Sequence, residues 1–154
     1  MIIHTARLTL RPNDFSAMQA LLDAETDAEM KAAYREMIDE MRRIPGHEEW
    51  ACEWSVLIKG TETVIGGIGF KGTPDERGCV EVGYGINEPY RGHGYATEAT
   101  GGITAWALAQ EDVRCVLAQT EENNINSQRV LLKNGFVRDG YGEEGPLFRK
   151  EGIS

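Results

Sequence analysis

The chain has 154 residues, the length of one domain, and carries 25 Asp and Glu against 16 Lys and Arg, a formal charge of −9. A domain of that length buries roughly 70% of the surface its unfolded chain exposes, so residues 1–154 can close on one core. The acidic balance argues against nucleic acid and anionic membranes as partners and favours cationic ligands such as protonated amines.

Arg7 to Arg11 alternates apolar and polar residues and predicts a first strand ended by Pro12. Asn13 or Asp14 then caps a helix running to about Leu22. Asp27 to Arg43 places Met30, Tyr34, Met37 and Met41 on one helical face, read as core or as an adaptable pocket wall. Trp54–Lys59 and Thr63–Phe70 read as an antiparallel hairpin turning at Gly60, with a bulge at Gly66 and Gly67. Val80–Ile86 is the next strand, followed by a helix over Tyr95–Gln110 that Gly101 and Gly102 weaken. Arg114–Thr120 is a strand, and a strand, helix, strand unit implies a parallel pair. Asn124 caps a short helix that stops at Asn134 and Gly135, and Phe136–Asp139 and Leu147–Lys150 are closing strands. The sum is an α/β sandwich on a mixed sheet.

Cys52, Cys79 and Cys115 are odd in number and lack CxxC spacing, so neither a disulfide framework nor a zinc cage is suggested, and no metal is expected. A reducing cytoplasm fits, and MIIHTARLTLR lacks the basic and apolar regions of an export signal. No apolar run long enough to span a membrane occurs.

The segment VEVGYGINEPYRGHGYA, Val80 to Ala96, joins an apolar strand to a glycine turn that opens into a helix. Glycines let the backbone fold around a ligand, and a helix start presents free amides carrying partial positive charge, so this turn predicts an anion seat. Gly92, Gly94 and Thr97 give GxGxxT, not the dinucleotide GxGxxG, and Gly94 is followed by Tyr95 and Ala96, not the Lys and Ser/Thr of a Walker A loop.

RGHGYA, Arg91 to Ala96, resembles the R/Q-x-x-G-x-G/A pyrophosphate loop of the GNAT superfamily of N-acetyltransferases. NINSQRVLLKNGF, Asn124 to Phe136, is similar to that family's second signature, and ARLTLRP and VEVGYGI resemble its branch of ribosomal-protein and protein N-terminal acetyltransferases. The resemblance implies a GNAT-like mixed central β-sheet flanked by helices on both faces, with acetyl-coenzyme A as cofactor. It implies that the amides of Arg91, Gly92, His93, Gly94, Tyr95 and Ala96 hold the pyrophosphate, with Thr97 adding a hydroxyl. Asn124 would contact the pantetheine arm, and the amide of Gly85 or Ile86 would polarise the thioester carbonyl. Many relatives in this branch carry a bulky aromatic where Gly85 stands, which implies a roomier pocket.

Acyl transfer to an amine needs proton removal from the nucleophile and protonation of the leaving thiolate. Glu81, on the same strand parity as Gly83 and Gly85, is the expected base. The family's usual acid is a Tyr at the position held here by Leu131; Ser127, in N-x-x-S, is the expected substitute. No cysteine has a patterned His beside it, so direct attack in a ternary complex is expected over a covalent intermediate. Tyr34, Trp54 and Glu81 are the expected acceptor contacts, the acceptor being a cationic small amine or a protein N-terminus. The chain is expected to act as a monomer or homodimer. The competing reading is a non-catalytic acyl-CoA sensor or interaction module, supported only by the missing Tyr.

Overall fold

The computed structural model describes residues 1–152 as one eight-stranded sheet with four α-helices. The strands are β1 (Ile3–His4), β2 (Leu8–Pro12), β3 (Glu53–Ile58), β4 (Val64–Phe70), β5 (Cys79–Ile86), β6 (Cys115–Gln119), β7 (Val137–Tyr141) and β8 (Pro146–Glu151). The helices are α1 (Phe15–Ala24), α2 (Ala28–Arg43), α3 (Tyr95–Leu108) and α4 (Ile125–Lys133). The sheet order is β1-β2-β3-β4-β5-β6-β8-β7, antiparallel throughout except for the parallel β5–β6 pair. This matches the mixed sheet expected from sequence, and the parallel pair is the one that the strand, helix, strand pattern required.

Local chemistry accounts for the boundaries. The Asp14 carboxylate accepts from the Ala17 amide at 2.8 Å and caps α1, and Asp27 caps α2 through Met30 at 3.0 Å. Gly60 turns the β3–β4 hairpin at φ +80°, which a Cβ would disfavour. The bulge falls beside its expected place: Val56 pairs with Gly66 but Leu57 with Val64, so Ile65 is the extra residue. The short β1, held by only two partner pairs, carries no alternation long enough to read from sequence.

Alternation along the strands sends Trp54, Val56, Ile68, Phe70 and Val82 to one face, where Trp54 and Phe70 meet Trp106 of α3 at ring distances of 5.1 and 6.0 Å. The opposite parity lies under α1 and α2. Helices therefore cover both faces, and the cores differ: one face is packed solid, the other is floored by glycine.

One expectation is corrected here. Cys79 and Cys115 form a disulfide across the parallel pair, with Cα atoms 4.7 Å apart. Cysteine spacing along the chain, 36 residues, could not reveal it, because register alone makes them direct partners. Cys52 is free and buried, with its thiol pushed up to about 12 by that burial. Among the described residues no helix is long and apolar enough to cross a membrane and no His, Cys, Asp and Glu cluster could hold a metal.

Candidate active site

Strand β5 pairs with β4 from Val82 to Ile86 but with β6 only over Cys79–Glu81, opposite Cys115–Leu117. Beyond Glu81 the two parallel strands part and leave a gap. The Lys71 amide donates to the Glu81 carbonyl at 3.1 Å and the Asn87 amide to Ile65 at 2.8 Å, so the odd positions of this segment turn their main chain toward β4. By alternation Val82, Tyr84 and Ile86 turn theirs toward the gap. Of the two expected carbonyl donors, Ile86 therefore has its amide on the open side. The Gly85 main chain faces β4, and its bare Cα instead leaves space, with nothing within 4 Å of where a Cβ would stand.

A cavity of about 640 Å³ opens where the gap meets the start of α3, lined by Gly92, Gly94, Tyr95, Ala96 and Thr97 on one side and by α4 on the other. Gly92 and Gly94 have φ of +81° and +80°, a left-handed conformation that side chains resist. The amides of Gly94, Tyr95, Ala96 and Thr97 donate to no acceptor among the described residues, the exposed donors of a helix first turn. Arg91 differs from expectation: its amide is already spent on the Glu88 carbonyl at 3.2 Å. Its guanidinium Nε donates to the Ile86 carbonyl at 2.8 Å, beside the gap. The His93 ring does not line the cavity; the His93 carbonyl accepts from Arg7 Nη1 at 3.0 Å.

Arg7 fixes this loop. Its Nε and amide each donate to the Glu98 carboxylate at 2.7 Å, and its guanidinium lies 4.5 Å over the Tyr95 ring. Burial alone would raise the Glu98 carboxyl, but the bonds from Thr5 and Arg7 outweigh it and hold the group below the ordinary carboxylate range. Sequence reading quoted Arg7 only as part of a motif and missed this role. It also missed Arg129 and Lys133, one helical turn apart on α4, which bring positive charge to the same cavity of an acidic protein.

Asn124 caps α4, its Oδ1 accepting from the Ser127 amide at 3.1 Å, and it also lines the cavity. The Ser127 hydroxyl lies 2.6 Å from the Tyr84 hydroxyl. Burial raises the Tyr84 phenol, with the Ser127 bond opposing it, so the pair is protonated at neutral pH. Leu131 is fully buried in the core and offers no proton. Tyr84 was overlooked because its apolar ring reads as an ordinary core position between two glycines; its even parity was the available signal.

A second cavity, of about 620 Å³, lies across β5 under α1 and α2. Its floor is two rows of cross-strand partners, Ser55–Gly67–Gly85 and Glu53–Gly69–Gly83. Its walls are Leu21, Met30, Tyr34 and Met37. The methionine and tyrosine stripe thus divides, since Met41 is wholly core. Tyr34 lines this cavity, but Trp54 does not: it is 0% exposed, its ring tilted against Trp106 and its Nε1 donating to the Glu49 carbonyl, on the other face of the sheet. Its neighbour Glu53 holds the cavity position instead and accepts from the Tyr34 hydroxyl at 3.3 Å. Glu81 lines neither cavity. Its carboxylate takes Lys71 Nζ at 2.6 Å and Gln119 Nε2 at 3.2 Å.

The family model for the acetyltransferase (GNAT) domain matches residues 7–137. The Bacillus subtilis protein named Uncharacterized N-acetyltransferase YjdG is 39% identical over 84 residues, 54% of this chain and 50% of that protein, so the match spans half the relative's length. Uncharacterized N-acetyltransferase p20 of Bacillus licheniformis is 26% identical over 90% of this chain and 83% of its own. Among solved structures, RimL, a ribosomal L7/L12 alpha-N-protein acetyltransferase in complex with coenzyme A, superposes with a TM-score of 0.76 at 16% identity, covering 99% of this chain and 98% of that one, a likeness of fold.

Proposed function

Because the chain belongs to the GNAT family of N-acetyltransferases, we propose that it transfers an acetyl group from acetyl-coenzyme A to a primary amine by direct attack in a ternary complex. The observation that carries this reading is the run of amides from Gly94 to Thr97 that donate to no acceptor among the described residues, opened by the left-handed Gly92 and Gly94, beside the gap where β5 and β6 part. Such donors hold a diphosphate through charge-assisted hydrogen bonds despite a net charge of −9. Arg129 and Lys133 add charge on the opposite wall.

The residues present fit the cofactor. Gly94, Tyr95, Ala96 and Thr97 would hold the diphosphate, Asn124 the pantetheine arm, and the Ile86 amide the thioester oxygen. Acetyl-coenzyme A supplies an activated thioester; the chain supplies orientation and proton handling. An amide donor aimed at a developing oxyanion is worth about 3 kcal/mol. The Tyr84 and Ser127 hydroxyls form the proton donor facing the gap, which makes good the absence of Tyr at position 131 and removes the support for a non-catalytic sensor.

The acceptor is a cationic amine, either a small molecule or a protein N-terminus of the kind that RimL is named for. An α-amine, with a pKa near 7.8, lies only about 1 kcal/mol from its neutral form at pH 7, against about 4.6 kcal/mol for a lysine-like amine. Titration calorimetry with coenzyme A tests the reading. The wild type takes up the cofactor, and Gly94→Val, which forces a β-branched residue to positive φ, weakens it by about 100-fold, or 2.7 kcal/mol. Unchanged affinity in that variant refutes the loop assignment.

A further inference from the structure

We propose that Glu53, the carboxylate between the glycine rows of the second cavity, receives the acceptor's ammonium and takes its proton. The proposal rests on the acetyltransferase reading and deepens it. Glu53 leaves β3 beside Gly69, but its carboxylate swings over Gly67, so close that a Cβ there would stand 2.6 Å from Glu53 Oε1. Gly67 is the direct partner of Gly85 on β5. Antiparallel partners lie about 5 Å apart, which sets the carboxylate one strand spacing from the open Cα of Gly85 and the gap-facing amide of Ile86.

Charge points the same way. Among the described residues Glu53 has no ion pair; its side chain has only the Tyr34 hydroxyl. The groups facing it are Glu25 from the end of α1, Tyr34 from α2, Lys71 after β4 and Arg91 after β5. Lys71 Nζ is engaged by Glu81 and Glu144 at 2.6 and 3.0 Å, and Arg91 Nε by the Ile86 carbonyl, so neither neutralises it. A partly buried carboxylate without a cation, in a cavity walled by Leu21, Met30 and Met37, calls for a cation brought by the ligand. Burial, and then Glu25, raise the Glu53 carboxyl above its ordinary value against the Tyr34 bond, which makes it a stronger base than a free glutamate. In that step the ammonium N–H bond breaks, its electron pair stays on nitrogen, and the proton passes to Glu53.

The acceptor class follows: a primary amine carrying an aliphatic or aromatic group and no carboxylate beside the nitrogen, because Glu25 and Glu53 repel one. Leucinamide and 2-phenylethylamine model it, and zwitterionic leucine is the counter-example, expected to be used at least tenfold less well, about the effect of one like-charge contact.

The test measures thiol release with these amines and coenzyme A affinity separately. Glu53→Gln, nearly isosteric, lowers kcat/KM for the amines by about 100-fold while leaving coenzyme A affinity unchanged, and it removes the acidic limb of the pH profile. Tyr34→Phe, which keeps the carboxylate, lowers it by about threefold to tenfold and serves if the first variant does not fold. Amine kcat/KM unchanged in both variants overturns the proposal, as does a wild type that binds coenzyme A yet acetylates none of the amines. Loss of coenzyme A binding in the wild type strikes the parent reading instead.

Discussion

The two cavities on either side of β5 are built in opposite ways. The one at the start of α3 is built around consecutive main-chain amides and two helix starts in the segments 91–97 and 124–133, completed by Tyr84, Gly85, Ile86 and Tyr90. The other sets side chains from α1, α2 and β3, far apart in sequence, over a glycine-rich floor supplied by β4 and β5. A cofactor is the same molecule for every member of a family, so a fixed backbone seat serves it. An acceptor varies, and long-range side chains that change independently suit it better. On the proposed assignment, cofactor binding is thus local in the chain and acceptor specificity is distributed.

That contrast can be broken where the two cavities share a support. The Cys79–Cys115 bridge closes the end of the sheet from which β5 and β6 diverge. Closing a loop of 36 residues stabilises a fold by about 4 kcal/mol on chain-entropy grounds. The double variant Cys79→Ala, Cys115→Ala, compared with the oxidised wild type by urea unfolding, should lose that amount. It should also weaken coenzyme A more than it weakens amine binding, since the gap depends on the β5–β6 pairing and the glycine floor on β3–β5. Equal losses at both sites would show that the cavities are coupled.

Replacing Ser127 by Ala sharpens the contrast from the cofactor side. The hydroxyl pair with Tyr84 faces the gap, so kcat should fall by about tenfold with coenzyme A affinity and amine KM unchanged. The effect is modest because a thiolate with a pKa near 8.5 leaves with little help. A single-turnover rate of thiol release unchanged by the substitution would remove Ser127 from proton transfer.

Legibility in the sequence follows the same division. Apart from β1 the strand and helix order was readable from alternation and caps, and the loop with free amides from RGHGYA, because glycine at positive φ and a helix start are written in adjacent residues. Trp54 and Glu53 show the limit. They are neighbours in β3, and only the face assigned to each parity decides which lines a cavity; an aromatic looks like a ligand contact and a carboxylate like solvent-exposed surface. Glu81 shares the right face, yet Lys71 and Gln119 occupy it, a contact set by register across β4 and β6 that no spacing along the chain encodes. The disulfide was hidden for the same reason.

Two carboxylates, one in each region, give the finest comparison. Glu53 has a raised folded pKa, so at neutral pH it is charged at a cost; as pH falls through that raised value the folded state gains a proton the unfolded chain does not yet take, and stability from this group rises. Glu98 has a lowered folded pKa, so its contribution is present above the unfolded value and is lost as pH falls through the folded one. At pH 7 Glu53→Gln should therefore melt above the wild type and Glu98→Gln below it. The first difference should close as pH falls toward about 4.3, the ordinary glutamate value, while the second persists to lower pH. If Glu53→Gln melts below the wild type at neutral pH, the carboxylate has a partner that compensates its charge, and the cavity does not await a cation.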